Sequence, residues 1–325
     1  MAAKCMSGRR QIAFVLSPDK EFINTLRTLW SDDVMHFTVF ERGRAAIEHL
    51  FNSPPDLLIV DDRLEDMSAA EVASLVKSEN VYRQLPVIMC LDANYSEQDI
   101  DWSEVEVDDF LVRPLLPHII KDRVELTLCR AMRALDANPL SKLPGNTSII
   151  QRIQELIDRG EDFGLAYCDL DYFKSFNDKY GFSRGDEVLM MTARIIVNTV
   201  KAFGGPGSFV GHVGGDDFVF IVTEDIVEEA CKRVIASFDA IVPSFYDTDD
   251  RERGSIVSTD RNGSIQTFPI MAVSIAVVLN TGGRLNHFGE VSAIAMSLKK
   301  KAKASVTSSY VIDQRDYVSP APDNE

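Results

Sequence analysis

Residues 209–222 read Phe-Val-Gly-His-Val-Gly-Gly-Asp-Asp-Phe-Val-Phe-Ile-Val, and this stretch sets the architecture of the second half of the chain. Apolar runs at 209–213 and 218–222 flank a turn, residues 214–217, made of two glycines and two aspartates. Glycine adopts the backbone angles that a tight turn needs, so the pattern predicts two antiparallel strands joined by a hairpin. The tip of this hairpin carries two carboxylates.

Further strands and amphipathic helices surround the hairpin. Strands are predicted at 163–168, 269–279 and 309–312, and helices at 147–159, 174–180, 186–202, 226–241 and 289–304. Because the connections mix hairpins with helical crossovers, we expect an α+β domain with helices on the faces of one sheet. The polar, charged residues 246–263 predict a long loop or a β-extension.

The first half of the chain alternates strands and helices regularly. Strands are predicted at 12–16, 36–40, 56–60, 86–91 and 109–112, with helices at 20–30, 42–51 and 69–78. This order predicts an α/β domain with a doubly wound parallel sheet. In such sheets, functional residues lie at the carboxyl ends of the strands.

A long helix is predicted between the two halves, because apolar residues recur every three or four positions from Ile120 to Leu135. Two compatible interpretations stay open: it packs on the first sheet as its last helix, or it continues as a dimer-forming stalk. Asn138-Pro139 ends the helix. We expect a first domain at 1–117, a linker or stalk helix at 118–137, a second domain at 138–318 and a disordered tail at 319–325.

Composition narrows the classes of function. The 34 Lys and Arg against 50 Asp and Glu leave a net charge of −16, which disfavours broad contact with nucleic acid or an anionic membrane. No apolar run is long enough for a spanning helix, and residues 1–10 lack an apolar signal core. The five cysteines are widely spaced without a CxxC pair, which predicts reduced thiols and a cytoplasmic protein.

Four carboxylates make up a candidate cation site. Asp169 and Asp171 follow the strand at 163–168, and Asp216 and Asp217 lie at the hairpin tip. Carboxylates this close need a neutralising cation, and hard oxygen ligands favour Mg²⁺ or Mn²⁺. Each segment alone is also explained by a solvent-exposed acidic turn and a helix N-cap at Asp171.

The wider motif resembles the GGDEF domain of diguanylate cyclases. Residues 169–178 read Asp-Leu-Asp-Tyr-Phe-Lys-Ser-Phe-Asn-Asp and are followed by Gly181 and Gly185-Asp186, which is similar to the family pattern DxDxFKxxND…G…GD. The Gly-Gly-Asp-Asp-Phe of the hairpin stands where GG(D/E)EF belongs, and residues 138–146 look like the opening segment of the family. The resemblance covers about 138–315 and implies a nucleotidyl-cyclase fold with a ferredoxin-like core.

The resemblance also implies roles for individual residues. Asp169 and Asp216 would ligate Mg²⁺ together with the Leu170 carbonyl, and Asp217 would act with the two aspartates in catalysis. Asn177 and Asp186 would hydrogen-bond the guanine edge, for which a carboxylate facing N1–H and N2–H₂ is chemically suited. The remaining substrate-binding positions that the resemblance implies are Phe173, Lys174, Gly214, Gly215 and Lys303.

The implied reaction joins two GTP molecules into cyclic di-GMP and releases pyrophosphate, with catalysis by positioning and charge neutralisation. Since one domain holds one GTP, a homodimer is required. A second hypothesis is a weak or inactive domain that binds GTP or a cyclic dinucleotide as a signalling module. A third is a structural dimeric scaffold, against which the retained motif residues weigh.

Several positions depart from the family pattern. Asp217 replaces the usual glutamate and is one methylene shorter, while His212 and Thr307 stand where arginines are usual. Both of the latter changes remove cationic help for phosphate. Gly205 and Ser208 occupy the places of the RxxD product-inhibition motif, so strong feedback through that site is not expected.

Residues 10–130 resemble a response-regulator receiver domain of the flavodoxin-like kind, with Asp61 as the phosphoacceptor. The resemblance implies a sensor histidine kinase or another signalling protein as a partner. The acidic pair after the first strand is Ser17-Pro18, Leu91 replaces the usual hydroxyl residue, and Arg113 replaces the usual lysine. Two interpretations therefore stay open: a phosphorylated receiver, or a pseudo-receiver that dimerises and controls the cyclase domain without a phosphoryl group.

Overall fold

A computed structural model describes residues 10–94, 100–102, 105–205, 207–259 and 265–313. The chain divides into two compact units, Met1–Leu135 and Asp136–Glu325. The predicted tail at 319–325, Cys5 and part of the 246–263 segment lie outside the described residues.

The first unit is built on a parallel sheet in the order β2-β1-β3-β4-β5. Its strands are β1 Gln11–Leu16, β2 Met35–Phe40, β3 Leu57–Asp61, β4 Val87–Leu91 and β5 Asp109–Val112, and its helices are α1 Lys20–Leu29, α2 Gly43–Asn52, α3 Ala69–Ser78 and α4 Pro117–Asp136. Every residue of β3 and β4 is buried, as continuous apolar strands covered on both faces require. The doubly wound parallel prediction is confirmed.

Helix α4 contributes to the core of this unit. Ile120, Val124 and Leu128 are buried in the same apolar cluster as residues of β1 and α1. The helix therefore packs on the first sheet, as the first of the two interpretations expects, and the stalk interpretation stays a prediction.

The second unit has a mixed sheet in the order β12-β11-β6-β8-β7 and a separate hairpin, β9-β10. The strands are β6 Phe163–Asp171, β7 Phe209–Gly214, β8 Asp217–Val222, β9 Ser255–Thr259, β10 Ile265–Pro269, β11 Ala272–Asn280 and β12 Ser309–Ile312. The helices are α5 Asn146–Asp158, α6 Phe173–Tyr180, α7 Phe182–Phe203, α8 Glu224–Ile241, α9 Thr248–Arg253 and α10 Phe288–Ala302, with a 3₁₀ turn at Val242–Phe245. Apolar clusters cover both faces of the sheet, which confirms the α+β prediction.

Asp136 prepares the start of α5. Its carboxylate accepts hydrogen bonds from the backbone N–H groups of Gly145, Thr147 and Ser148 at 2.8–3.1 Å. These donors would otherwise be unpaired at a helix N-terminus. Burial opposes ionisation of Asp136, but these hydrogen bonds outweigh it and lower the pKa of the carboxyl.

One local explanation was wrong, and one open alternative is now resolved. Asp171 is not a helix N-cap, because it is the last residue of β6. The residue that directly precedes α6 is Tyr172, whose backbone is in the left-handed conformation. The 246–263 segment is not a plain loop either: helix α9 leads into the β9-β10 hairpin, whose strands pair in antiparallel register. Its interpretation as a β-extension is confirmed for the part of the segment that the structure describes.

Four cysteines, Cys90, Cys129, Cys168 and Cys231, are buried free thiols, as predicted. Within the described ranges, none of the helices combines the length and apolar character needed to cross a membrane.

Candidate active site

Strand register brings the predicted acidic residues together. Asp169 on β6 lies opposite Asp217 on β8 and opposite Ser274 on β11. Asp171, two residues further on the same strand, accepts a hydrogen bond from the Ser274 hydroxyl. The four carboxylates thus meet where β6 ends and the β7-β8 hairpin turns.

The hairpin turn depends on its two glycines. Gly215 has a φ of 58°, and Gly214 has a φ of 146° beside an irregularity in the β7-β8 register. A Cβ added at either glycine would meet nothing within 4 Å, so backbone conformation, rather than crowding, favours glycine here. The open space leaves the backbone of the turn accessible to a bulky ligand.

The His212 side chain stabilises the turn of the hairpin. Its Nε2 lies 3.0 Å from the Gly215 carbonyl, its Nδ1 lies 2.9 Å from the Ser141 hydroxyl, and its ring stacks on Phe218. Burial lowers the pKa of His212. A neutral ring that donates from Nε2 and accepts at Nδ1 satisfies both partners. His212 is therefore a structural residue of the hairpin and does not supply a cation.

Two lysines from the end of α10 neutralise the acidic residues. The Lys299 ammonium lies 2.5 Å from Asp169 and 2.6 Å from Asp217. The Lys303 ammonium lies 2.6 Å from the other oxygen of Asp169 and 3.8 Å from Asp171. Asp169 is almost completely buried, so its charge depends on these partners.

The site divides its carboxylates into two kinds. Burial opposes ionisation of Asp169, but the neighbouring ammonium groups of Lys299 and Lys303 outweigh it and lower its pKa. Burial raises the pKa of Asp217, Asp216 and Asp171, and the charge of Asp169 raises each of them further. Asp169 is thus firmly ionised, while burial and the negative charge of Asp169 oppose ionisation of the other three carboxylates.

The donor set suits a divalent cation. All candidate ligands are hard oxygens, and one oxygen of Asp169 is buried and has no hydrogen bond of good geometry, although Lys303 lies near it. Among the residues that the structure describes, no three His, Cys, Asp or Glu side chains are arranged as around a bound metal ion. Lys299 stands in for such a cation, because its ammonium bridges Asp169 and Asp217.

Asn177 and Asp186 form a second group of predicted residues. Asn177 lies on α6, and its buried Oδ1 has no hydrogen-bond partner. This oxygen would lie 1.9 Å from a Cβ at Gly185, so a larger residue there would displace the Asn177 side chain from its present position. Asp186 follows Gly185 and is exposed. Over the described residues, no hydrogen bond or ion pair connects this group to the acidic residues.

The other predicted positions differ in their surroundings. Leu170 and Phe173 are buried in the apolar core, which leaves only their backbone groups for ligand contacts. Lys174 is exposed near the start of α6. Sequence reasoning missed Lys299 and Ser274; the only signal for Lys299 was its spacing of four from Lys303, which places both on one face of a helix.

Arginines surround the predicted phosphoacceptor of the first unit. Asp61 is fully buried and accepts hydrogen bonds from Ser17 at 2.6 Å, Arg113 at 2.6 Å and Arg63 at 3.2 Å. Both arginines also bind Asp19, at 2.7 and 3.1 Å. Burial opposes ionisation of Asp61, but the hydrogen bonds from Arg63, Ser17 and Arg113 outweigh it and lower its pKa.

Family models match a part of each unit. The model of the diguanylate cyclase GGDEF domain matches residues 136–252, and that of the response regulator receiver domain matches residues 14–125. Response regulator PleD of Caulobacter vibrioides is 25% identical over 216 residues, which are 61% of this chain and 47% of PleD. This chain therefore matches about half of the length of PleD.

Two further likenesses cover a larger share of the other protein than the match to PleD does. Chemotaxis protein CheY1 of Helicobacter pylori is 27% identical over 106 residues, which are 32% of this chain and 83% of CheY1. The crystal structure of diguanylate cyclase SiaD with its activator SiaC, from Pseudomonas aeruginosa, is 22% identical, covers 60% of this chain and 70% of that chain, and has a TM-score of 0.41.

Proposed function

Because the chain belongs to the proteins that join a response regulator receiver domain to a GGDEF domain of the diguanylate cyclase family, we propose that it condenses two GTP molecules into one cyclic di-GMP and two pyrophosphates. The proposed cofactor is Mg²⁺ or Mn²⁺, and the proposed active form is a cytoplasmic homodimer in which each protomer presents one GTP to the other.

The register of β6 against β8 carries this proposal. It places Asp169 beside Asp217, and the same hairpin carries Asp216. Asp169, Asp216 and the Leu170 carbonyl would hold the cation, whose chemistry when bound is neutralisation of phosphate charge. Lys303 adds a cation for the phosphates, while Asn177 and Asp186 would orient the guanine. Each 3′-hydroxyl then faces the α-phosphate of the other GTP, and most of the rate enhancement comes from that positioning.

A second candidate is a module that binds guanine nucleotides or a cyclic dinucleotide without turnover. The contacts of Lys299 favour it, because one lysine neutralises both Asp169 and Asp217. The Asp217 side chain contacts Lys299, and it is one methylene shorter than the usual glutamate, so it extends less far toward a substrate. Whether Lys299 withdraws when a divalent cation binds separates the two candidates.

For the first unit we propose a pseudo-receiver. The arginine pair supplies the positive charge that a divalent cation and a phosphoryl-binding lysine supply in the receiver family. Three side chains already bind the Asp61 carboxylate, so its charge is neutralised without a divalent cation or a lysine. A signalling protein that docks on this unit, rather than a phosphoryl group from a histidine kinase, would then deliver the input.

The test is incubation of the full chain with GTP and Mg²⁺, with the product identified by mass. One cyclic di-GMP for every two pyrophosphates released supports the cyclase, and Asp216→Asn should abolish both products. Nucleotide binding by calorimetry without product, at high protein concentration, supports the binding module instead. Absence of both binding and product excludes both candidates.

A further inference from the structure

Residues 246–253 contact both of the helices that carry the predicted guanine-binding residues. This segment, which we call the clamp, consists of Tyr246, Asp247 and helix α9. Its side chains contact residues of both α6 and α7. The clamp therefore connects the helix that carries Asn177 to the helix that carries Asp186.

On the α6 side, Asp250 is the centre of the clamp. Its carboxylate is 4% exposed and accepts a hydrogen bond from the Tyr180 hydroxyl. It also pairs with the Lys179 ammonium and, at 3.0 Å, with Arg253. A buried carboxylate with one neutral and two cationic donors is well satisfied, and loss of the carboxylate would leave all three without it.

Aromatic packing extends this anchor to the residue next to Asn177. The rings of Phe176, Tyr180 and Tyr246 lie with their centroids 4.8–5.6 Å apart in tilted and edge-on arrangements. Phe176 is fully buried and directly precedes Asn177. The hydroxyl of Tyr246 accepts a hydrogen bond from the backbone N–H of Met271 at 2.9 Å, which ties the cluster to the start of β11.

On the α7 side, the contact is made by Arg184, next to Gly185. Its guanidinium pairs with Asp247 at 3.0 Å and lies over the Tyr180 ring at 4.9 Å. The pair with Asp247 is exposed and contributes little by itself. Its value is geometric, since Arg184 joins the first turn of α7 both to Asp247 of the clamp and to Tyr180 of α6.

We propose that the clamp fixes the spacing of Asn177 and Asp186 and thereby sets the preference for guanine over hypoxanthine. The inference rests on the proposed function, because it assumes that these residues bind guanine. Hypoxanthine lacks the exocyclic amino group of guanine, so only a site held at the right spacing gains from that group. Asp250 and Tyr180 are then positioning residues, which act through α6 without touching the base.

The experiment measures the affinities of the full chain for GDP and IDP, which have no pyrophosphate to release and do not react. We expect the wild-type chain to prefer GDP by roughly tenfold or more, the size of one charge-assisted hydrogen bond. Asp250→Ala should reduce this preference to a few-fold or less while the affinity for Mn²⁺ stays unchanged. Asp249→Ala, an exposed neighbour on α9, is the matched control and should leave both quantities unchanged.

Tyr180→Phe provides a milder second variant, because it removes the hydroxyl and keeps the ring. Its GDP preference should also fall, which keeps the test decisive if Asp250→Ala does not fold. An unchanged preference in a variant that melts near the wild-type temperature overturns the inference and leaves the proposed function intact. Equal affinities of the wild-type chain for GDP and IDP would show that the site gains nothing from the exocyclic amino group, which overturns the inference and leaves binding through N1–H and O6 intact.

Discussion

The ammonium nitrogen of Lys299 lies 2.6 Å from a carboxylate oxygen of Asp217. The same nitrogen lies 2.5 Å from Asp169, and these contacts, outweighing burial, raise the pKa of Lys299. The lysine is therefore charged at neutral pH and occupies oxygens that a divalent cation would use. Competition between a tethered cation and a free one should control how the site is loaded.

Lys299→Met should tighten Mn²⁺ binding by roughly fivefold, because it removes a competing charge worth about 1 kcal/mol and keeps the length of the side chain. Titration of Mn²⁺ followed by electron paramagnetic resonance measures the change. Lys300→Met, at an exposed position of the same helix, is the control and should have no effect. Equal or weaker Mn²⁺ binding in Lys299→Met would show that the lysine does not compete.

Asp217→Glu should raise the rate of cyclic di-GMP formation by about tenfold or more, since the longer side chain restores the usual reach and rates respond strongly to displacements near 1 Å. Product formation at saturating GTP is the measurement. Asp217→Asn, which keeps the length and removes the charge, should lose the activity. A lower rate in Asp217→Glu would mean that the site is adapted to aspartate.

Asp216→Asn should stabilise the second unit in the absence of divalent cations. Burial and the charge of Asp169 raise the pKa of Asp216, so the ionised carboxylate favours the unfolded state at neutral pH. We expect a rise in the melting temperature of roughly 1–3 °C, together with loss of the further rise that Mn²⁺ produces in the wild-type chain. A fall in the metal-free melting temperature contradicts this account.

Arg113→Met should destabilise the first unit by about 3 kcal/mol, because it leaves the fully buried Asp61 without its best partner. The sign with pH follows from the lowered pKa of Asp61. Its ionised form stabilises the fold above the unfolded value, near 4, and this stability is lost as pH falls through the lower folded value. In Arg113→Met the loss should begin at higher pH, as denaturant titrations across pH 3–6 would reveal.

Acetyl phosphate with Mg²⁺ should leave Asp61 unmodified, since Arg63 and Arg113 already occupy its oxygens. Intact-mass spectrometry should detect no added phosphoryl group. A chain with Ser17→Asp and Arg113→Lys regains an acidic residue and the usual lysine and should accept phosphate more readily. Phosphorylation of the wild-type chain would overturn the pseudo-receiver proposal.

Sequence patterns were sufficient for the architecture where local chemistry dominates. Buried parallel strands such as β3 are continuous apolar runs, and the Gly214-Gly215 turn identifies its hairpin without tertiary information. Helix α9 was missed because Thr248–Arg253 is short, highly charged and without apolar periodicity. The strands around it were recognisable only as a possible extension.

The candidate site was predictable where a motif names the residue, as for Asp169 and Asp216. Lys299 was not, because its partner Asp217 is 82 residues away and their contact depends on how α10 packs against the sheet. The clamp was not predictable for the same reason, since Asp250 and Tyr180 are 70 positions apart and meet only in the folded unit. Polar contacts at long range follow from tertiary packing, which spacing along the chain does not encode.

The cap that Asp136 provides for α5 has a practical consequence for dissecting the chain. Any fragment intended to carry the second unit alone should begin at or before Asp136, which is also where the GGDEF match starts. A cut at 138 would remove the cap, at a cost of about 1 kcal/mol. A cut after Ser141 would also remove the hydroxyl partner of His212 and weaken the hairpin that His212 supports. If such a fragment were inactive, the cause would be the loss of these contacts at its N-terminus and not the presence of Asp217 in the hairpin.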